Sequence, residues 1–312
     1  MFETGSLWHK VVWATDRALA CGALEPIPTS FEFVEDGGVR FLVRIVTRLA
    51  HKPRAPMESD TDSSRRPNPF LPYDPAMFVA DVSQTHVALL NKFNVLEHHV
   101  LIVTRAFEHQ QSPLNLADFE ALWKCMAEYE SLGFYNSGTA AGASQPHKHL
   151  QLVPLPLAAS GPPVPIEALL RPASLPGEIA QVPVLPFAHM VAPLAPRLAE
   201  RPHQAARTSF DQYRAMLDRL GFVARRQDGQ DRITAPYNLL LTRQWMLLVP
   251  RIRERFHSIS LNALAFAGAL LVRNEEELGR LKIRGPMAAL VHTAGRPRPP
   301  GGSSHGTGIG CP

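Results

Sequence analysis

Residues 137–156, SGTAAGASQPHKHLQLVPLP, set two histidines two positions apart, His147 and His149, and continue the spacing at Gln151. On a β-strand, side chains at i, i+2 and i+4 share one face, with neighbours ~7 Å apart. On a helix, positions two apart point nearly opposite ways. Alternation with Leu150 and Leu152, followed by Val153, favours the strand, so His147, His149 and Gln151 are expected to line one face. The small residues just before them, NSGTAAGAS, let backbone N–H groups come close to an anion, as in a phosphate-binding nest. Imidazoles beside such a cradle suit attack on phosphorus. Histidine is a nucleophile through one ring nitrogen when a partner fixes the other, and its usual pKa of ~6.5 leaves it mostly neutral near pH 7. The phosphoramidate so formed is readily resolved by an incoming anion.

Two other readings fit the same spacing. The histidines can be a buried, hydrogen-bonded pair, or they can be two ligands of a zinc ion. Zinc needs a third protein ligand, and no acidic residue or cysteine lies near them in sequence, so no metal site is expected. The three cysteines, Cys21, Cys125 and Cys311, stand far apart with no CxxC, which argues against a disulfide framework and fits a reducing compartment. A length of 312 residues with 45% hydrophobic composition supports one large domain or two of ordinary size. The net charge of +4 comes from scattered arginines, so no nucleic-acid-binding face is indicated. The opening residues do not read as a signal peptide, and no uncharged apolar run reaches the ~18 residues of a membrane span, so a cytoplasmic protein without a membrane partner is expected.

The elements that must position the histidines follow from periodicity. Residues 1–22 read as a helix, with Leu7, Val11, Ala14 and Ala18 at helical spacing. FEFVEDGGVRFLVRIV reads as a hairpin around Asp36-Gly37-Gly38, and residues 51–70 as a polar loop. MFVADVSQTHVALLNKFNV and HHVLIVTR supply strands; SPLNLADFEALWKCMAEYE is a helix capped by Asn115 or Ser112. Residues 154–203 are proline-rich and read as an irregular connection over the surface. A helix near 204–220, the strands of YNLLLTRQWMLLVPR and the helix NEEELGRLKIRG follow. An internal echo links KFNVLEHHVLIVTR (92–105) to PYNLLLTRQWMLLVPR (236–251), and Asn136 precedes Gly142 by the same interval as Asn262 precedes Gly268. The expected organisation is a catalytic half over 1–153, a connection over 154–203, a second half over 204–295 that completes the site, and a disordered tail over 296–312.

NSGTAAGASQPHKHLQLVPLP resembles the active-site segment of the diadenosine tetraphosphate phosphorylases, or ATP adenylyltransferases, the branch of the histidine-triad superfamily with Gln in the third position. PFLPYDPAMFVADVSQTHVALLNKFNV, PYNLLLTRQWMLLVPR and SLNALAFAGALLVRNEEEL resemble the same family, so the likeness runs from about residue 40 to residue 292, leaving out the proline-rich connection and the tail. It implies an α+β fold: a doubled histidine-triad-like unit with an antiparallel sheet and flanking helices. By position it implies that His149 accepts AMP, His147 orients the site and Gln151 hydrogen-bonds the nucleotidyl phosphate. It places Asn136, Gly142, Ala143, Ser144 and Gln145 at the phosphates, Asn91 and Lys92 at the adenosine and phosphate, and Lys52 on the polyphosphate. Asn262, Ala263, Leu264, Ala269 and Arg273 would close over the substrate, with Arg273 standing where the family tends to have lysine.

The activity implied is phosphorolysis of diadenosine tetraphosphate to ATP and ADP, and its reverse, through an AMP-histidine intermediate. The implied partners are the dinucleoside polyphosphate, ATP, ADP and phosphate. No tightly bound cofactor is implied; magnesium would arrive with the polyphosphate. Uridylyl transfer between sugar phosphates is the alternative enzyme reading, although that branch commonly has proline between the histidines, where this chain has Lys148. A nucleotide sensor without turnover is the non-enzymatic alternative.

Overall fold

The computed structural model describes residues 1–47, 68–170, 177–195 and 197–296. Lys52, most of the expected loop 51–70 and the expected tail beyond 296 lie outside these residues.

Helix α1 (Leu7–Ala20) forms because Leu7, Val11, Ala14 and Ala18 make one buried stripe, and it starts six residues later than the periodicity suggested. The hairpin β1 (Thr29–Asp36) and β2 (Val39–Val46) closes at Asp36↔Val39 around Gly37 and Gly38, whose φ values of 57° and 79° the turn requires. Strands β3 (Phe78–Asp81), β4 (His86–Leu90) and β5 (Val100–Thr104) lead to helix α2 (Leu116–Met126). Asn115 caps α2 through a reciprocal pair of hydrogen bonds with Asp118. Next come β6 (Ser131–Ser137), β7 (His149–Pro154), β8 (Met190–Pro193), α3 (Pro202–Arg219), β9 (Ala224–Gln227) and β10 (Gln230–Ile233). The chain continues through β11 (Tyr237–Leu241), β12 (Trp245–Pro250), β13 (Arg255–Phe256), β14 (Ile259–Ser260) and α4 (Ala263–Phe266). It ends in β15 (Ala269–Val272), α5 (Glu275–Arg284) and α6 (Pro286–Ala294).

The centre is an eight-stranded antiparallel sheet in the order β3-β4-β5-β7-β6-β11-β12-β8. One face, carrying Leu150, Leu152, Tyr135, Leu239 and Leu248, packs on α1, α2 and α3. The other carries Phe134, Val153, Leu240, Leu247 and Val249, and packs under the three-stranded sheet β1-β2-β15 and helices α4–α6. Alternation along β7 therefore sends its odd-numbered residues away from α1, α2 and α3.

The doubling lies in β5-α2-β6-β7 and β8-α3-β11-β12, which meet along β6 and β11 with α2 beside α3. Superposing His149 on Trp245 brings the registers into agreement. Ser131↔Pro154 matches Tyr237↔Pro250, Phe134↔Gln151 matches Leu240↔Leu247, and Val103↔His149 matches Pro193↔Trp245. The pseudo-twofold passes through the pair Phe134↔Leu240.

This corrects the expected echo. The hairpin of residues 237–250 is the counterpart of β6–β7, not of residues 92–105, which hold β5 and the loop before it, and the matching strands are HLQLVP (149–154) and WMLLVP (245–250). Asn136 and Asn262 are likewise not equivalent, since one lies on β6 and the other caps α4. Several apolar runs of similar length allow several alignments, and only the ladder register selects one. The proline-rich segment is not a purely surface connection either. It supplies β8, and between its prolines it buries Leu157, Val164, Ile166, Phe187 and Val191. Among the described residues no helix is long and apolar enough to cross a membrane.

Candidate active site

His149 opens β7 at 4% exposure, and its Nδ1–H donates to the main-chain oxygen of His147 at 2.8 Å. That bond fixes the tautomer and leaves Nε2 with a free lone pair. Burial pushes the imidazole down to about 4, so it is neutral near pH 7. His147 precedes the strand, in a bridge with His109. Its Nε2–H donates to Thr104 O at 2.8 Å, and its Nδ1 accepts from Asn68 Nδ2 at 2.9 Å. Burial lowers its pKa too. Phe70 and Phe107 stand edge-on to the His147 ring at 5.6 and 5.4 Å. The expected shared face thus holds for His149 and Gln151 along β7, while His147 is tied sideways to β5.

The site opens because two strands part. The β6–β7 ladder ends at Phe134↔Gln151, and beyond it the Gln110 side chain spans the gap. Gln110 gives Nε2–H to Asn136 O and His149 O at 3.0 and 3.2 Å, and its Oε1 accepts from His149 N at 2.9 Å. Above the gap runs the turn from Gly138 to Gly142, whose φ values of 87° and 88° a side-chain-bearing residue rarely adopts. A Cβ on Gly142 would lie 2.8 Å from Asn262 Cβ, so the second half presses directly on this turn. Asn136 Oδ1 accepts from Asn238 Nδ2 at 2.7 Å and from Ala263 N at 2.9 Å. Buried Arg251 completes the seam, donating through Nη1 to Asn238 Oδ1 at 2.6 Å and to Leu261 O at 2.9 Å. An imidazole nitrogen with no hydrogen-bond partner among the described residues thus stands on a strand flanked by a glycine-bearing turn, an arrangement suited to covalent catalysis on an anion.

The profile of the Ap4A phosphorylase N-terminal domain family matches residues 1–172, and that of the ATP adenylyltransferase C-terminal domain matches residues 183–296. The chain belongs to the Ap4A phosphorylase family. It is 29% identical over 266 residues to diadenosine 5',5'''-P1,P4-tetraphosphate phosphorylase 2 of Saccharomyces cerevisiae, covering 78% of this chain and 79% of that one. It is 28% identical over 258 residues to Protein APA1 of the same yeast, covering 77% and 78%. The crystal structure of yeast Ap4A phosphorylase Apa2 in complex with Ap4A has the same fold, with a TM-score of 0.77 at 24% identity over 96% of this chain and 100% of that one.

In this chain of the Ap4A phosphorylase family, the fold brings most of the expected residues together. Asn136, Gly142, Asn262 and Ala263 touch one another, with Ala143, Ser144 and Gln145 continuing the loop to His147 and Leu264 following Ala263 in α4. Asn91 reaches the strand through His99, and Lys92 forms an exposed ion pair with Glu25 at 3.1 Å. Ala269 opens β15 opposite Leu42, and Arg273 is paired with Glu277; no hydrogen bond or ion pair joins either to the histidine strand among the described residues. Asn136 holds the second half through its Oδ1, and its Nδ2 makes no hydrogen bond among the described residues.

Sequence reasoning missed Asn68, His99, Gln110 and Arg251, all polar groups with a partner that the fold brings from elsewhere in the chain. It named Lys148 only as the residue between the histidines. Lys148 is fully buried on the α2 side of the sheet, with Nζ 2.6 Å from Asp118 Oδ2 and 2.9 Å from Glu108 Oε2. His86 Nε2 lies 3.0 Å from the other oxygen of Asp118. Burial alone would raise the Asp118 carboxyl, but Lys148 and His86 hold it below the usual carboxylate range. A lysine inside an alternating apolar strand was a signal that a buried acid must face it. Among the described residues no group of three or more His, Cys, Asp or Glu is placed to hold a metal ion.

Proposed function

We propose that the chain transfers AMP by double displacement between diadenosine tetraphosphate and phosphate. His149 Nε2 bonds to the α-phosphorus while the bond to the bridging oxygen breaks, and ATP leaves with the negative charge. An oxygen of inorganic phosphate then attacks the same phosphorus, the P–N bond breaks, ADP departs and the imidazole is regenerated. The observation that carries this reading is the Nδ1–H bond from His149 to His147 O, which leaves Nε2 as the free ring nitrogen in a chain of this family. Gln151 donates to the phosphoryl oxygens, and N–H groups of the Gly138–Gln145 turn stabilise the charge spreading there. Asn136 supports the turn from beneath. Asn91 and Lys92 face the nucleotide, and a polyphosphate can displace the exposed pairing of Lys92 with Glu25. Lys52 and Arg273 are assigned to the polyphosphate. Magnesium accompanies the substrate. A reducing, cytoplasmic setting suits the free thiols of Cys21 and Cys125.

The acceptor follows from Gln151. An amide in the third position is neither a base for water nor an acid, whereas phosphate arrives anionic and needs only to be held. Positioning of that kind can supply ~7–11 kcal/mol of barrier reduction. The test is two-part. Acid-labile label from adenylate-labelled Ap4A should remain on the protein when phosphate is withheld, and added phosphate should release it as ADP. AMP formed at full rate without phosphate would make the chain a hydrolase, and preferential labelling by uridine nucleotides would make it a uridylyltransferase.

A further inference from the structure

Gln151 must present its NH₂ group, not its oxygen, to a phosphate. An amide turned by 180° would aim a partial negative charge at phosphoryl oxygens. A free glutamine side chain samples both orientations, so something in the site has to choose.

The structure supplies the chooser on the neighbouring strand. His99 stands just before β5, at 7% exposure, diagonal to Gln151 across the β5–β7 ladder in which Leu101 pairs with Gln151. Its Nε2 lies 3.1 Å from Gln151 Oε1, and its Nδ1 lies 3.1 Å from Asn91 Nδ2. The Asn91 backbone is itself anchored, since its main-chain N–H donates to His99 O at 2.9 Å. The Phe134 ring packs on His99 at 5.7 Å. Both ring nitrogens are therefore committed, in a chain with one direction. Asn91 NH₂ donates to Nδ1, Nε2–H donates to Gln151 Oε1, and the Gln151 NH₂ is left pointing outward. We propose that His99 is a positioning residue for AMP transfer, fixing the Gln151 amide with its NH₂ turned toward the nucleotidyl phosphate.

The proposal rests on the adenylyl-transfer reading above, and it makes His99 matter only through Gln151. The chemistry of the pocket agrees with it. Burial pushes His99 down to about 4, so the ring stays neutral and keeps the Nδ1 lone pair that Asn91 needs. A charged ring would offer N–H groups on both sides and break the chain at Asn91.

The experiment compares His99→Phe, His99→Gln, Gln151→Ala and the double variant His99→Phe/Gln151→Ala for kcat and KM with Ap4A. Folding is checked by thermal melting, and adenylyl-protein formation is read separately. His99→Phe should lose on the order of 100-fold in kcat, as removal of one preorganised donor to a transition state does, with KM nearly unchanged. His99→Gln, whose side-chain NH₂ can still donate to Gln151 Oε1, should recover most of that loss. The double variant should be no worse than Gln151→Ala alone. Additive losses, or His99→Gln as poor as His99→Phe, would overturn the proposal. Ring ¹⁵N correlation spectra of the wild-type protein read the same point without turnover, and should show His99 as the Nε2–H tautomer. A His99 protonated on Nδ1 would refute it even if no variant folds. Adenylyl-protein formation stands or falls separately, so failure of this proposal is distinguishable from failure of the reading beneath it.

Discussion

The His149 imidazole donates a hydrogen bond from its Nδ1–H to the carbonyl oxygen of His147, two residues back on the same chain. The atom that orients the nucleophile therefore belongs to the backbone, and substitution of the His147 side chain cannot remove it. His149→Ala should abolish both the adenylyl-protein and turnover. His147→Ala should keep measurable activity, reduced because the ties to Thr104 and Asn68 are lost. Initial rates and label retention on variants with wild-type melting curves decide this. Comparable activity in wild type and His149→Ala would refute the assignment.

Protons should be excluded from this site well below the ordinary histidine range. Burial lowers His149 and His99 to about 4, and lowers His147 as well. The neutral, competent form thus persists as pH falls through ~6.5, where a free imidazole would protonate. Since kcat/KM for Ap4A reports the free enzyme, it should stay level from about pH 8 to about pH 5. An acid limb centred near 6.5 would contradict the burial of His149. Stability should move with the opposite limit. The unfolded chain binds protons below ~6.5 that the folded chain refuses, so the melting temperature should decline steadily as pH drops from there toward 4.

Lys148→Met should damage stability rather than chemistry. The substitution leaves Asp118 buried and facing only His86 and backbone donors, and breaking such a pair costs about 3–5 kcal/mol. Adding Asp118→Asn should restore part of the loss by removing the stranded charge. Urea unfolding of the single and double variants is the measurement. A Lys148→Met protein within ~1 kcal/mol of wild type would mean that the buried pair contributes little beyond a hydrophobic replacement.

Gly142→Ala carries two penalties at one atom. The residue has φ 88°, and the added Cβ would sit 2.8 Å from Asn262 Cβ, where both halves meet. The variant should melt at a lower temperature, by the ~1–3 kcal/mol that a strained backbone costs, and its kcat should fall further than that loss of stability accounts for, because the turn next to the nucleophile must shift. Wild-type kcat in this variant would show that the turn tolerates displacement.

What was legible in the sequence was whatever repeats locally. The alternation around His149 reveals β7, Asn115 announces the start of α2, and the Gly37-Gly38 pair announces the first hairpin. The positions hidden from it are those defined by a neighbour from elsewhere in the chain. His99 looks like one of two adjacent histidines until β5 is set beside β7 in register. Gln110 looks like a loop residue until β6 and β7 part around it. The repeat was sensed but set out of phase, because Trp245 in the position of His149 disguises the strand that corresponds to β7.

That tryptophan has a consequence for how the molecule divides its labour. Two β–α–β–β units joined edge to edge along β6 and β11 resemble a symmetric dimer fused into one polypeptide, and such a dimer would carry two equivalent nucleophiles. Here the second position is sealed: the Trp245 indole donates to Glu167 at 2.9 Å, and its face of the sheet is roofed by the packing of β1, β2 and β15. The second half has a tryptophan where the first has its histidine and serves as a foundation for the first, lending it Ala263, Asn238 and Arg251 across the seam. A fused pair of this kind can let its halves diverge without ever losing its partner to dilution, and each polypeptide should carry a single AMP.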